Sequence, residues 1–335
     1  MATDSTLETR LGWLGAMVAA AALLQAGCAV GRAEATFDRT LKVDGPVRLE
    51  VATGSGHIRV HNGPAGVVQI HGEVRAGGFL LSTGSRRAAE IASNPPIDQS
   101  ANLIRVGATR GGMGFGNVSI SYTVETPADT EVRAKDGSGD VEVAGVREPV
   151  TVTIGSGDAR VSDLGDNATI QVGSGSIQGS QIQGSVNFTS GSGSVTFRDV
   201  KSELRGQAGS GDVQVDLPQG RVNVHTGSGP IRVSGAGQDV RASTGSGSIE
   251  VRGDPAAGSF WDLETGSGGI SLSVPGTASF ELTAQTHSGS VRVDMPITIE
   301  EQSRRFLRAR AGDGRAHLNV ETKSGDIRVV RTGAS

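Results

Sequence analysis

The stretch Gly137–Gly175, GSGDVEVAGVREPVTVTIGSGDARVSDLGDNATIQVGSG, decides the fold. It holds three copies of Gly-Ser-Gly, centred on Ser138, Ser156 and Ser174. The copies continue at Ser192, Ser210, Ser228 and Ser246, always 18 residues apart. Ser267 follows after 21 residues, Ser288 after another 21 in His-Ser-Gly, Ser324 comes 36 later in Lys-Ser-Gly, and an early copy sits at Ser55. Self-similarity at a fixed period is the signature of a repeat architecture.

The apolar positions hold the same register. After each Gly-Ser-Gly a column reads Val141, Ala159, Ile177, Val195, Val213, Ile231, Ile249, and two residues on Val143, Val161, Gly179, Phe197, Val215, Val233, Val251. The residues between are polar, Glu142 and Arg160 for example. Alternation of apolar and polar residues with period two is that of a half-buried strand. Half a period later a second strand begins, with inward columns starting at Val150 and Val152. Each unit therefore has two short strands and two turns, one of them Gly-Ser-Gly and the other variable. The expected fold is all-β: a single-chain parallel β-solenoid, or β-helix, of 18-residue two-strand coils. About ten coils stacked at ~4.8 Å would make a rod on the order of 50 Å long. Glycine suits a corner repeated in every coil, because it reaches positive φ without steric cost. The corner serines are expected to bond nearby backbone groups.

The repeat region is placed at residues 137–331. Residues 38–136 are less regular and are expected to form an N-terminal β-rich cap, with strands over 38–61, 67–74, 102–109 and 118–125. Residues 85–93 have helix-forming composition and stop at Asn94-Pro95-Pro96. Capping is expected because an open coil edge templates aggregation. Arg328 and Arg331, near the last strand, read as guards of such an edge, which favours a monomer over a filament.

The chain has 51 glycines, 3% aromatics and a net charge of −4, with both signs scattered. That balance lacks the basic footprint of a nucleic-acid binder. Residues 11–24, LGWLGAMVAAAALL, are an apolar run that includes Trp13 and has the length of a signal-peptide core rather than a membrane span. Residues 1–27 are read as a signal peptide of lipoprotein type and 28–37 as a tether. The string LLQAGC resembles a bacterial lipobox, which makes Cys28 the predicted lipidation site. Gln25 departs from the lipobox, so ordinary secretion and a retained anchor stay open. All three readings put the mature chain outside the cytoplasm, lipid-anchored in a bacterial envelope or secreted. With Cys28 the sole cysteine, no intrachain disulfide is available.

Three stretches carry a family resemblance: LKVDGPVRLEVATGSGHIRVHNG (41–63), VSISYTVETPADTEVRAKDGSGDVEVAGV (118–146) and LNVETKSGDIRV (318–329). With the repeats between them, the chain resembles the DUF4097 adhesin-like family of bacterial β-strand-repeat proteins over residues 38–331. The resemblance implies a β-solenoid in an envelope or surface setting. It implies no catalytic residue, cofactor or ligand.

Candidate chemistry is sparse. The residue after Gly-Ser-Gly is Asp at 140, 158 and 212, Ser at 176, 194 and 248, Pro at 230 and Gly at 269. Calcium needs six to eight oxygens, and aspartate in only some coils does not form a continuous array. Six histidines, His57, His61, His71, His225, His287 and His317, show no zinc spacing; His57 and His61 would stand roughly 13 Å apart on a strand. Asp140 and Asp158 should stand side by side in adjacent coils, the one pairing a glycosidase could use; repeat symmetry explains it without catalysis. Thr151 and Thr153 begin a threonine ladder that decays to Thr169 with Gln171 and Asn187 with Thr189. Trp261 lies in the insert GSFWDLET, either as a plug for a widened coil or as an exposed sugar platform, with the plug favoured. The expected function is a non-catalytic, adhesin-like or structural envelope protein that meets an envelope protein or a glycan, with no metal or cofactor. The alternatives are a carbohydrate-active β-helix enzyme and an accessory of an envelope-stress system.

Overall fold

The computed structural model describes residues 32–77, 81–107 and 118–332. Cys28 and the signal segment with Trp13 lie outside the described residues. Strands dominate the described chain, with one helix at Leu81–Ser93. Two long sheets face each other. We call the sheet whose strands lead into the Gly-Ser-Gly corners the front sheet, and the sheet whose strands leave them the back sheet. Each coil is named by its corner serine. The Ser156 coil, for instance, runs along Val150–Ser156 in front and Ala159–Leu164 behind.

Parallel pairing links every coil to the next in one register. Val150, Val152 and Ile154 stand opposite Ala168, Ile170 and Val172, and the corner serines align, Ser156 with Ser174. The inward columns predicted from the period are the core: Val141, Ile177, Val195, Val213, Ile231 and Ile249 are all 0% exposed. Burying each such side chain contributes ~1.5–3 kcal/mol relative to leaving it in water. The two glycines in these columns are explained by phenylalanines one coil away. A Cβ on Gly179 would meet the Phe197 ring at 2.4 Å, and one on Gly206 would meet the Phe188 ring at 2.2 Å. The rings lie 5.5 Å apart between centroids, so an absent side chain in one coil makes room for a large one in its neighbour. Trp261 is the plug: it is 0% exposed, and its indole Nε1 donates to Gln238 O at 2.8 Å.

Among the described residues, twelve coils stack in parallel, and their spatial order is not their chain order. At the N-terminal end the Ser55 coil pairs directly with the Ser138 coil. The outermost coil, Leu103–Val106 with Val118–Thr126, is made later in the chain and stacks on the far side of the Ser55 coil. Two coils of the parallel stack thus lie before residue 127. Antiparallel strands finish this end: Ile97–Ser100 in front, Val67–Gly77 and Arg32–Lys42 behind. The helix packs on the last two, burying Ala88 and Ile91.

At the other end the final coil of the sequence is not the final coil of the stack. The Ser324 coil, Ala316–Ser324 and Ile327–Arg331, is inserted between the Ser267 and Ser288 coils. The 36-residue gap before Ser324 is therefore no pair of periods. It holds an antiparallel hairpin, Thr298–Gln302 and Phe306–Ala311, that covers the front strand of the Ser288 coil. This corrects the reading of Arg328 and Arg331 as edge guards. Their strand is paired on both sides, and Arg328 reaches Asp294 at 3.1 Å in the true edge strand, Val291–Asp294.

Candidate interaction surfaces

The Gly-Ser-Gly corners form a row along one edge of the rod. The second glycine is present in every coil of the row, whereas His287 and Lys323 replace the first in the Ser288 and Ser324 coils; in the central coils both glycines lie where backbone stacks on backbone. A Cβ on Gly173 would lie 2.5 Å from Gly155 O, and one on Gly175, whose φ is +131°, would lie 2.1 Å from Gly157 O. Backbone bonds join the row, such as Gly157 N to Ser174 O at 2.8 Å. The serine side chains point to solvent, and the contact between them is Ser192 Oγ to Ser174 Oγ at 3.5 Å. The expected bonds from serine hydroxyl to backbone are supplied instead by a buried threonine two positions earlier. Thr244, Thr265, Thr322 and Thr286 each donate to the carbonyl of a corner glycine in the coil below, at 2.9–3.1 Å.

That threonine column contains one acid. Asp136 is 2% exposed, its Oδ1 accepts Ser138 N at 3.0 Å, and its Oδ2 has no partner. Burial pushes its pKa up to about 6, the charge of Asp140 adds to the rise, and the backbone N–H groups of Ser138 and Gly137 oppose it.

Asp140 and Asp158 do stand in adjacent coils, and their contacts are structural. Asp140 Oδ1 accepts Asp158 N at 3.0 Å, and Asp158 Oδ1 accepts Ser176 N at 2.9 Å. Arg160 lies between the remaining oxygens, 3.6 Å from Asp140 and 3.0 Å from Asp158. Asp326 repeats the pattern with Ser290, whose N–H and hydroxyl hold its pKa down. Asp212 is followed one coil later by Pro230, which has no N–H to give, and it pairs with Arg232 at 3.5 Å. The drift of this column among Asp, Ser, Pro and Gly is thus a drift in how one backbone N–H is satisfied. Among the described residues, no group of three His, Cys, Asp or Glu is placed to hold a metal ion.

The second corner was not legible as a motif. Gly145, Asp163, Gln181, Asp199, Leu217 and Gly235 all have left-handed backbones, with φ between 50° and 83°. They are 18 residues apart, and only the glycines at the two ends could have revealed the column. Left-handed backbone costs a residue with a Cβ roughly 1–2 kcal/mol. Leu217 is 60% exposed there and lies beside Pro218 in a shallow groove with Arg198 and Gln219.

The outer front face is the third surface. Over the central coils it carries Thr151, Thr169, Asn187 and Asn223 in one column and Thr153, Gln171, Thr189 and Gln207 in the next. Apart from Arg205 in the first column and His225, which follows Gln207 in the second, these are neutral hydroxyls and amides, spaced ~4.8 Å along the rod. Ion pairs lie on the back face, as Arg59–Glu142 and Arg232–Glu250, and towards both ends of the front face, as Arg48–Glu131 and Arg241–Asp262.

These features define a two-sheet parallel β-solenoid with structural corners and polar outer faces. The chain belongs to the Toastrack DUF4097 family, whose profile matches residues 110–330. No curated protein matches it. Among solved structures it is similar to a provisionally assigned adhesin from Bacteroides fragilis, at 12% identity and a TM-score of 0.31, covering 88% of this chain and 97% of that one. It is also similar to a provisionally assigned lipid-binding protein from Parabacteroides distasonis, at 11% identity and a TM-score of 0.31, covering 88% and 96%. A provisionally assigned cell adhesion protein from Clostridium sporogenes shares 10% identity at a TM-score of 0.27, covering 89% and 100%.

Proposed function

We propose that this is a non-catalytic envelope or surface protein, lipid-anchored through Cys28, that presents its front face to an envelope protein or glycan. The observation that carries the reading is the neutral central face, where hydroxyls and amides repeat in register over several coils. Such a face offers many equivalent hydrogen bonds to an extended partner and little charge to repel one. The non-catalytic part is supported by Asp140 and Asp158, whose oxygens are engaged by backbone N–H groups and Arg160.

Two measurements test it. Membrane fractionation with lipid labelling should show the wild-type chain labelled and sedimenting with membranes, and Cys28→Ala unlabelled and released. Unchanged sedimentation of the variant would remove the anchor. Retention on envelope extract and on a glycan array should be lost when Thr169→Glu and Thr189→Glu charge the central face. Equal retention by this double variant would remove that face from the function.

A further inference from the structure

The insertion of the Ser324 coil assembles a surface that no stretch of sequence contains. It places Ala316–Ser324 between Phe260–Ser267 and Phe280–Ser288. On the outer front face this aligns Phe260, His317 and Glu281 in one column, and Asp262, Asn319 and Thr283 in the next. A shallow cavity of about 300 Å³ lies over them, at the small end of ligand sites, lined by Phe260, Glu281, Thr283, His317, Leu318 and Asn319.

Phe260 is the exposed aromatic of this cavity, 42% accessible. Its strand is held firmly: Phe260 N donates to Asp239 Oδ1 at 2.9 Å, and the next residue is the buried Trp261, with its indole bond to Gln238. Period-two alternation turns Trp261 into the core and Phe260 out of it. The aromatic surface beside this insert is therefore supplied by Phe260, not by the tryptophan.

The polar groups around the ring are already paired and so already oriented. Asn319 Nδ2 donates to Asp262 Oδ1 at 2.9 Å, and Arg241 stands 3.4 Å from Asp262 Oδ2. His317 Nδ1 lies 3.3 Å from Glu281 Oε2, and Arg310 lies 3.6 Å from Glu281 and 3.2 Å from Glu300. Each carboxylate has a cationic or donor neighbour. An anionic ligand would meet Glu281 and Asp262, and a cationic one would meet Arg310 and Arg241. A ligand without net charge is not penalised either way. Acceptors beside donors suit hydroxyl groups, which both give and take hydrogen bonds. An exposed ring suits an apolar C–H face.

We infer that Phe260, His317, Asn319 and Glu281 form a binding site for a neutral saccharide, with one pyranose face on Phe260 and its hydroxyl rim on the polar columns. The inference rests on the reading of the front face as a non-catalytic binding surface and names a ligand class and a place on it.

The test is saturation-transfer NMR on the full chain with glucose, galactose, N-acetylglucosamine and their β-linked trisaccharides. Trigalacturonate and chitosan trimer serve as the anionic and cationic comparisons. At least one neutral trisaccharide should be saturated through its ring C–H protons. Phe260→Ala should weaken that binding at least tenfold and Asn319→Ala several-fold, with melting temperatures unchanged because both side chains reach the surface. Gln178→Ala, on the back face, should leave it unaltered. The site is overturned if no neutral sugar is saturated, if Phe260→Ala binds as the wild type does, or if a charged trimer binds more tightly. Envelope extract run in parallel separates the two proposals. A partner retained equally by wild type and Phe260→Ala, with no neutral sugar saturated, removes this site and leaves the front-face function standing. Loss of that retention on charging the central face, with sugar binding intact, shows two separate surfaces.

Discussion

The two corners of each coil do the same work by opposite means. At the second glycine of the Gly-Ser-Gly corner, backbones of successive coils stack so closely that a Cβ has no place, as Gly175 shows. At the second corner the turn needs only one left-handed residue, and the chain fills it with Gly, Asp, Gln or Leu. A requirement set by contact with a neighbouring backbone admits one residue type. A requirement set by local backbone conformation admits several, each at a modest cost. The first corner is therefore a motif in the sequence, and the second is invisible there.

Three substitutions sharpen that contrast. Gly175→Ala should be the most damaging, because its Cβ would press on Gly157 O and on its own positive φ; we expect a loss of about 3–5 kcal/mol in chemical denaturation. A loss below ~1 kcal/mol would mean the stacking at this corner is slack.

Asp136→Thr tests the chemistry buried behind the same corner. Threonine would restore the donor found at Thr244 and Thr265, and should stabilise the protein by about 2 kcal/mol at pH 7. The sign with pH follows from the raised pKa. Asp136 holds its proton more tightly folded than unfolded, so its contribution is fully present below its ordinary value of 3.8 and is lost as pH rises to about 6. The advantage of the variant should therefore be small near pH 3.5, grow between about 4 and 6, and level off above. A difference between the two proteins that is flat with pH would show that Asp136 titrates normally.

Leu217→Gly has the smallest expected effect and the opposite sign to Gly175→Ala. It relieves a left-handed leucine that is mostly in water, and should raise stability by about 0.5 kcal/mol. Destabilisation by more than ~1 kcal/mol would show that the leucine's packing outweighs its backbone strain.

Much of the architecture was legible because it is local and repeated. The 18-residue period, the inward columns from Val141 and Val150, the glycines of the corner and the placement of Asp140 beside Asp158 all follow from alternation and register. The surfaces were less so. Trp261 and Phe260 are adjacent aromatics, and only the strand's orientation says which is plug and which is platform. His317 reads as an isolated histidine in the chain, because its neighbours Phe260 and Glu281 come from coils that the sequence does not place beside it.

By itself the sequence determined the coil: two short strands, an obligatory glycine corner, and an apolar inside. The tertiary structure alone decided which coil lies on which. The physical reason is that the coils are nearly interchangeable. Each presents the same backbone ladder above and below, so local pattern does not distinguish one neighbour from another. The choice is made by long-range fit: the antiparallel strands that finish each end, the Phe197 ring over Gly179, and the Ser324 coil that slides beneath the coil preceding it in the chain.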